Sequence, residues 1–120
     1  MSITALVVAV IACAAIIVLG ARFLLQPRQA TLDFGISPDN VRALTAIKGV
    51  RDITSGVVPL VVLAAAGRTA LGWVIVAAAL TAAGDAVIVL SNGGKRATAF
   101  GIHGLTAALL VTAGLILALG

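Results

Sequence analysis

The stretch KGVRDITSGVVPLVVLAAAG, residues 48–67, sets Lys48, Arg51 and Asp52 at the mouth of an almost wholly apolar run. Three more runs of that kind occupy the chain, at residues 3–25, 70–90 and 98–119, beside this second one at 41–66, whose helix is expected to cover 38–66. They are continuous rather than alternating, and Ala and Leu dominate them, which argues for helices over strands. About 20 such residues span the hydrocarbon of a bilayer as a helix. The expected fold is all-α, a single domain of four transmembrane helices over residues 1–120, arranged up-down-up-down.

Composition agrees. Hydrophobic residues make up 62% of the 120 and charged residues only 10%, against about 45–50% and about 25% in soluble domains. The formal charge is +4 and the pI about 10.8. That basicity does not mark a nucleic-acid binder. The Lys and Arg residues lie in loops and helix ends, and aromatic side chains are too scarce for a stacking platform. One cysteine, Cys13, and one histidine, His103, cannot make a disulfide or a zinc site. Cys13 reads as a small packing residue, and neither a metal nor a cofactor is expected. The first apolar run has no basic n-region and is long for a signal sequence, so it is expected to stay as a helix.

The connections set the topology. Residues 26–40, QPRQATLDFGISPDN, read as the one long loop, with Pro27 ending the first helix. Ser37, Pro38 and Asp39 read as the start of the second helix, with Ser37 as N-cap. Gly67-Arg68 breaks the second helix from the third, and residues 91–96, SNGGKR, form a tight turn before the fourth. Arg22, Arg28, Arg42, Lys48, Arg51, Lys95 and Arg96 then share one side, and Arg68 lies on the other. The positive-inside rule places the basic side in the cytoplasm, so a multi-pass protein of the inner, cytoplasmic membrane is expected, with both termini outside. Trp73 would anchor the outer interface.

The charges of KGVRDITSG belong, on this layout, to a polar site inside the bundle. Helix 2 brings Arg51 and Asp52 about one turn inside the inner boundary. Helix 3 brings Asp85 about 7 Å inside at 1.5 Å per residue, and helix 4 brings His103 to a similar depth. Charges facing lipid cost up to about 2.5–3.5 kcal/mol each at the bilayer centre, so they are expected to face one another. Asp85, His103 and Asp52 are the candidate catalytic residues. Arg51, Lys48, Ser55, Thr81 and Thr106 are the candidate ligand-binding residues. Lys48, Asp52 and Ser55 share a helix face, and Pro59 cannot donate to the Ser55 carbonyl, which opens a pocket floor there. Each has a plainer reading as well: Arg51 with an Asp as a structural clamp, Lys48 snorkelling to headgroups, His103 bonded to a neighbour.

The K-G-x-R-D run of helix 2, the Gly-Asp of helix 3 and KRATAFGIHG before helix 4 resemble the bacterial and fungal membrane proteins grouped as domain of unknown function 4267. The resemblance covers nearly the whole chain. It implies a four-helix membrane fold, loosely similar to DoxX-type proteins, with Lys48, Arg51, Asp52, Asp85 and His103 at its signature positions. It implies no activity, and the chain has no cysteine pair or haem-ligand pair for DoxX-type redox work.

Three functions follow from the residues. The site could bind the polar end of a lipophilic small molecule and, through Asp85 or His103, move a proton on it, as in isomerisation or cyclisation. It could serve a proton-coupled transporter working as a homo-oligomer. Or the charges could clamp an accessory subunit to a partner membrane protein. The lipid bilayer is the one partner common to all three.

Overall fold

The computed structural model describes residues 2–120, and it is helical throughout with no strand among the described residues. The chain divides into two compact units, the first extending to Gly49 and the second covering Val50–Gly120. Its helices are α1 (Ser2–Leu25), α2 (Pro27–Phe34), α3 (Val41–Ser91), α4 (Arg96–Thr98), a π-helical turn (Ala99–Gly104) and α5 (Leu105–Leu119). Three stretches are long and apolar enough to cross a membrane: Ile3–Leu25, Val41–Ser91 and Arg96–Leu119. Large apolar side chains stand exposed along all three, with Ile17 72% and Leu80 79% accessible. Water would not tolerate that much apolar surface, so the protein is a multi-pass membrane protein.

Residues 26–40 depart from the expected loop. They contain α2, and the signals for it are local. Pro27 stands at the start of the helix, where a missing N–H costs nothing. Gly35, at φ 113°, ends it in the left-handed region. The Gly35 N–H donates to the Leu32 carbonyl and the Ile36 N–H to the Thr31 carbonyl, the two bonds of a Schellman cap. Inside the first unit α2 packs on the end of α1. Phe23 and Phe34 meet edge to face with centroids 6.2 Å apart. Arg22 forms an ion pair with Asp33, which also accepts from Gln29 Nε2 at 2.8 Å. Thr31 is buried and donates to the Pro27 carbonyl at 2.6 Å.

The start of α3 is also corrected. The helix begins at Val41 rather than near Pro38, because Asn40 takes the cap: its Oδ1 accepts from the Ala43 N–H at 3.0 Å. Ser37 is spent on a tighter turn, accepting from the Asp39 N–H at 3.3 Å.

Along α3 the helical dihedrals persist through Pro59 and fail at Gly67, with φ 87° and ψ −172°. That region is open essentially to glycine alone, so the break falls at the expected Gly67-Arg68. The helix ends at Ser91 in a second Schellman cap. Gly93 has φ 75° and donates to the Leu90 carbonyl, while the Gly94 N–H donates to the Val89 carbonyl at 2.8 Å. The chain then reverses, and α5 returns along the C-terminal half of α3. The two helices touch backbone to backbone at Gly72 and Gly114. A Cβ built on Gly72 would lie 2.5 Å from the Ala118 nitrogen, and one on Gly114 would lie 2.7 Å from the Gly72 oxygen. The buried residues of α3, Gly72, Ala79 and Ala82, are all small, as helix contacts in lipid require.

Two predictions follow from these contacts. Ala at Gly72 or Gly114 gains about 1 kcal/mol of helix propensity, but its methyl meets backbone that cannot turn aside, and overpacking costs about 1–3 kcal/mol. Gly72→Ala and Gly114→Ala should therefore lower the melting temperature in detergent. Gly84→Ala, which meets nothing within 4 Å, should hold or raise it. In the first unit, the hydrogen bond from Arg22, then that from Gln29, holds the Asp33 carboxyl below its usual 3.8. A depressed carboxyl stabilises fully above the unfolded-state value and loses that contribution as pH falls through the folded one. Acid titration below about pH 4 should release the α1–α2 corner when Asp33 is present, and Asp33→Asn should remove that acid-dependent step, both read by the fluorescence of a probe on the exposed Leu32→Cys in a Cys13→Ser background.

Candidate functional site

The second unit holds a cavity of about 570 Å³. Three stretches of chain wall it. Thr54, Ser55 and Pro59 come from α3 before the break at Gly67, and Thr81 and Asp85 from α3 after it. His103 sits on the π-helical turn and Thr106 on α5. Val58, Val74, Ala78 and Leu110 complete an apolar wall. Of the residues expected from sequence, Asp85, His103, Ser55, Thr81 and Thr106 line this space. Arg51, Asp52 and Lys48 do not. Arg51 and Asp52 belong to the second unit but are exposed, one turn before Ser55, and Lys48 falls in the first unit.

The hydroxyls are held by their own helices. Ser55 Oγ donates to the Arg51 carbonyl at 2.8 Å, Thr54 Oγ1 to the Val50 carbonyl at 2.9 Å, and Thr106 Oγ1 to the Ile102 carbonyl at 2.6 Å. Each is the back-bond four residues up the helix that Ser and Thr favour in such segments. Asp85 and His103 are half-buried and make no hydrogen bond or ion pair among the described residues. His103 owes its place to the π-helical turn. There the Leu105 N–H reaches back five residues to the Phe100 carbonyl. Such widening is frequent at functional sites. Gly104 fits it because a Cβ there would come within 3.3 Å of the Ala99 oxygen.

Sequence reasoning missed two things here. Thr54 lines the cavity beside Ser55, and adjacency was its only signal. The π-helical turn had none beyond the glycines of FGIHG. The Arg22–Asp33 pair was missed too. It edges a smaller hollow of about 340 Å³ in the first unit, with Leu19, Phe23, Ala30 and Phe34, and there the two charges answer each other. Among the described residues no group of three or more His, Cys, Asp or Glu side chains could hold a metal ion.

No curated protein and no solved structure matches the chain. The family model described as "Domain of unknown function (DUF4267)" matches residues 13–117. The chain therefore belongs to that family.

Proposed function

We propose that the protein binds a lipophilic small molecule in the cavity of its second unit, with Asp85 and His103 holding the molecule's polar end. The observation that carries this reading is that an acid and an imidazole from two different helices open onto one space with apolar walls. A cavity of about 570 Å³ falls in the range of about 300–1,000 Å³ usual for small-molecule sites. An ionisable side chain at membrane depth is costly and is most often there for function.

The membrane layout that suits the site has four crossings. At 1.5 Å per residue, α3 would run for about 76 Å, more than twice the hydrocarbon thickness of about 30 Å. Its halves on either side of Gly67 are each long enough to cross once. With α1 and the segment from Arg96 to Leu119, that makes four helices in an up-down-up-down order. The Lys and Arg bias then puts the cavity's polar end near the cytoplasmic leaflet of the inner membrane and both termini outside. Asp85 and His103 can take up and return a proton, the step that isomerisation or cyclisation of a bound molecule requires. Arg51 and Asp52 stand outside the cavity, one turn before Ser55.

The protein purified in mild detergent should carry a small molecule in near-stoichiometric amount by mass spectrometry, and Asp85→Asn should carry much less while still unfolding in one cooperative transition, lowered only by the stabilisation that the lost molecule gave. Equal loading of the two, or no bound molecule in either, would count against the site.

A further inference from the structure

The chemistry of the cavity wall selects among lipophilic molecules. Count what it offers to a ligand. Ser55, Thr54 and Thr106 have given their only protons to backbone carbonyls, so each hydroxyl faces the space as an acceptor alone. The Ser55 carbonyl is a further acceptor, because Pro59, four residues on, has no N–H to give it. Asp85 adds a carboxyl, and no Lys or Arg is among the residues that line the space. Against these acceptors stand two groups able to donate, the Thr81 hydroxyl and the His103 ring. The wall is rich in acceptors, and neither lysine nor arginine joins its one carboxyl there.

We infer that the ligand is a lipophilic amine, with its N–H groups on Asp85 and the hydroxyl oxygens of Ser55 and Thr106 and its hydrocarbon against Ala78 and Leu110. This rests on the ligand-binding reading above and narrows it to a chemical class. An ammonium group brings donors to a wall with more acceptors than donors, and a positive charge to Asp85. A carboxylate or phosphate would bring more acceptors and face Asp85 with no lysine or arginine on the wall to offset it, and like-charge contacts in a low-dielectric space are strongly unfavourable. A ketone or quinone could use only the two donors and would leave the acceptors unanswered, each at the cost of an unmade hydrogen bond.

Three probes with one hydrocarbon cage separate these cases: 1-adamantylamine, 1-adamantanol and 1-adamantanecarboxylate. Binding is measured by equilibrium dialysis against the full chain in zwitterionic lipid nanodiscs, with empty discs subtracted. The amine should bind at least about tenfold more tightly than the carboxylate, the scale of one charge-assisted hydrogen bond. Asp85→Asn should erase that preference. Thr106→Val, which keeps the side-chain shape, should weaken the amine severalfold and leave the carboxylate unchanged. That variant decides the matter if Asp85→Asn folds poorly. Ala78→Phe, which fills the space, should weaken every probe. If the carboxylate binds as well as the amine and Ala78→Phe still blocks both, the cavity reading stands and the amine inference is overturned. If no probe binds the wild type above empty discs, both fall.

Discussion

The second unit depends on the contact between Gly72 and Gly114. In hydrocarbon, lipid tails are as apolar as leucine, so helices gain nothing by hiding apolar side chains from their solvent. What holds α3 to α5 is close approach, and it is close only because neither glycine has a Cβ. The Schellman cap at Gly93 and Gly94 turns the chain so that α5 comes back along α3 at that spacing. Beyond that contact, toward the turn, Asp85, His103 and Thr106 line one cavity.

The wall of that cavity shows how a membrane helix can be polar and still satisfied. Ser55, Thr54 and Thr106 bond their own backbones and present only oxygen to the interior. Proline and the π-helical turn act on the backbone in complementary ways. Pro59 withholds a donor from the Ser55 carbonyl, and the turn at Ala99–Gly104 moves the ladder on by one residue. Neither breaks its helix. The break is left to Gly67, where φ 87° needs a residue without a side chain.

Much of this was legible in the sequence. Continuous apolar runs gave the helices, Gly67-Arg68 the break, and SNGGKR the turn, because each depends on local chemistry. Asp85, His103, Ser55, Thr81 and Thr106 could be picked out because polar groups at membrane depth have few places to go. Arg51 was grouped with them by depth, and Asp52 and Lys48 by depth and by the helix face they share with Ser55, and neither signal fixes which side chains reach the cavity. The second helix start was misplaced because Ser37 and Asn40 are both competent caps, and only the geometry shows that Asn40 bonds the Ala43 N–H. α2 was hidden by its charge: PRQATLDF is too polar to read as a membrane helix, although Pro27 and Gly35 bracket it plainly. The π-helical turn depends on packing around Ala99, which is fully buried, and no local pattern announces it.

The central claim is that α3 and the π-helical turn before α5 bring Asp85 and His103 to one cavity in the membrane. It is tested most directly by cross-linking in native membranes. In a Cys13→Ser background, the double variant Asp85→Cys/His103→Cys should be joined within one chain by a short bifunctional thiol reagent. The pair Val87→Cys/Ile116→Cys, made from exposed positions at opposite ends of the α3–α5 contact, should be labelled without being joined. Efficient joining of the first pair alone is the result this account predicts. Free labelling of both pairs with no intrachain link would contradict it, since Asp85 and His103 would then not face a common space.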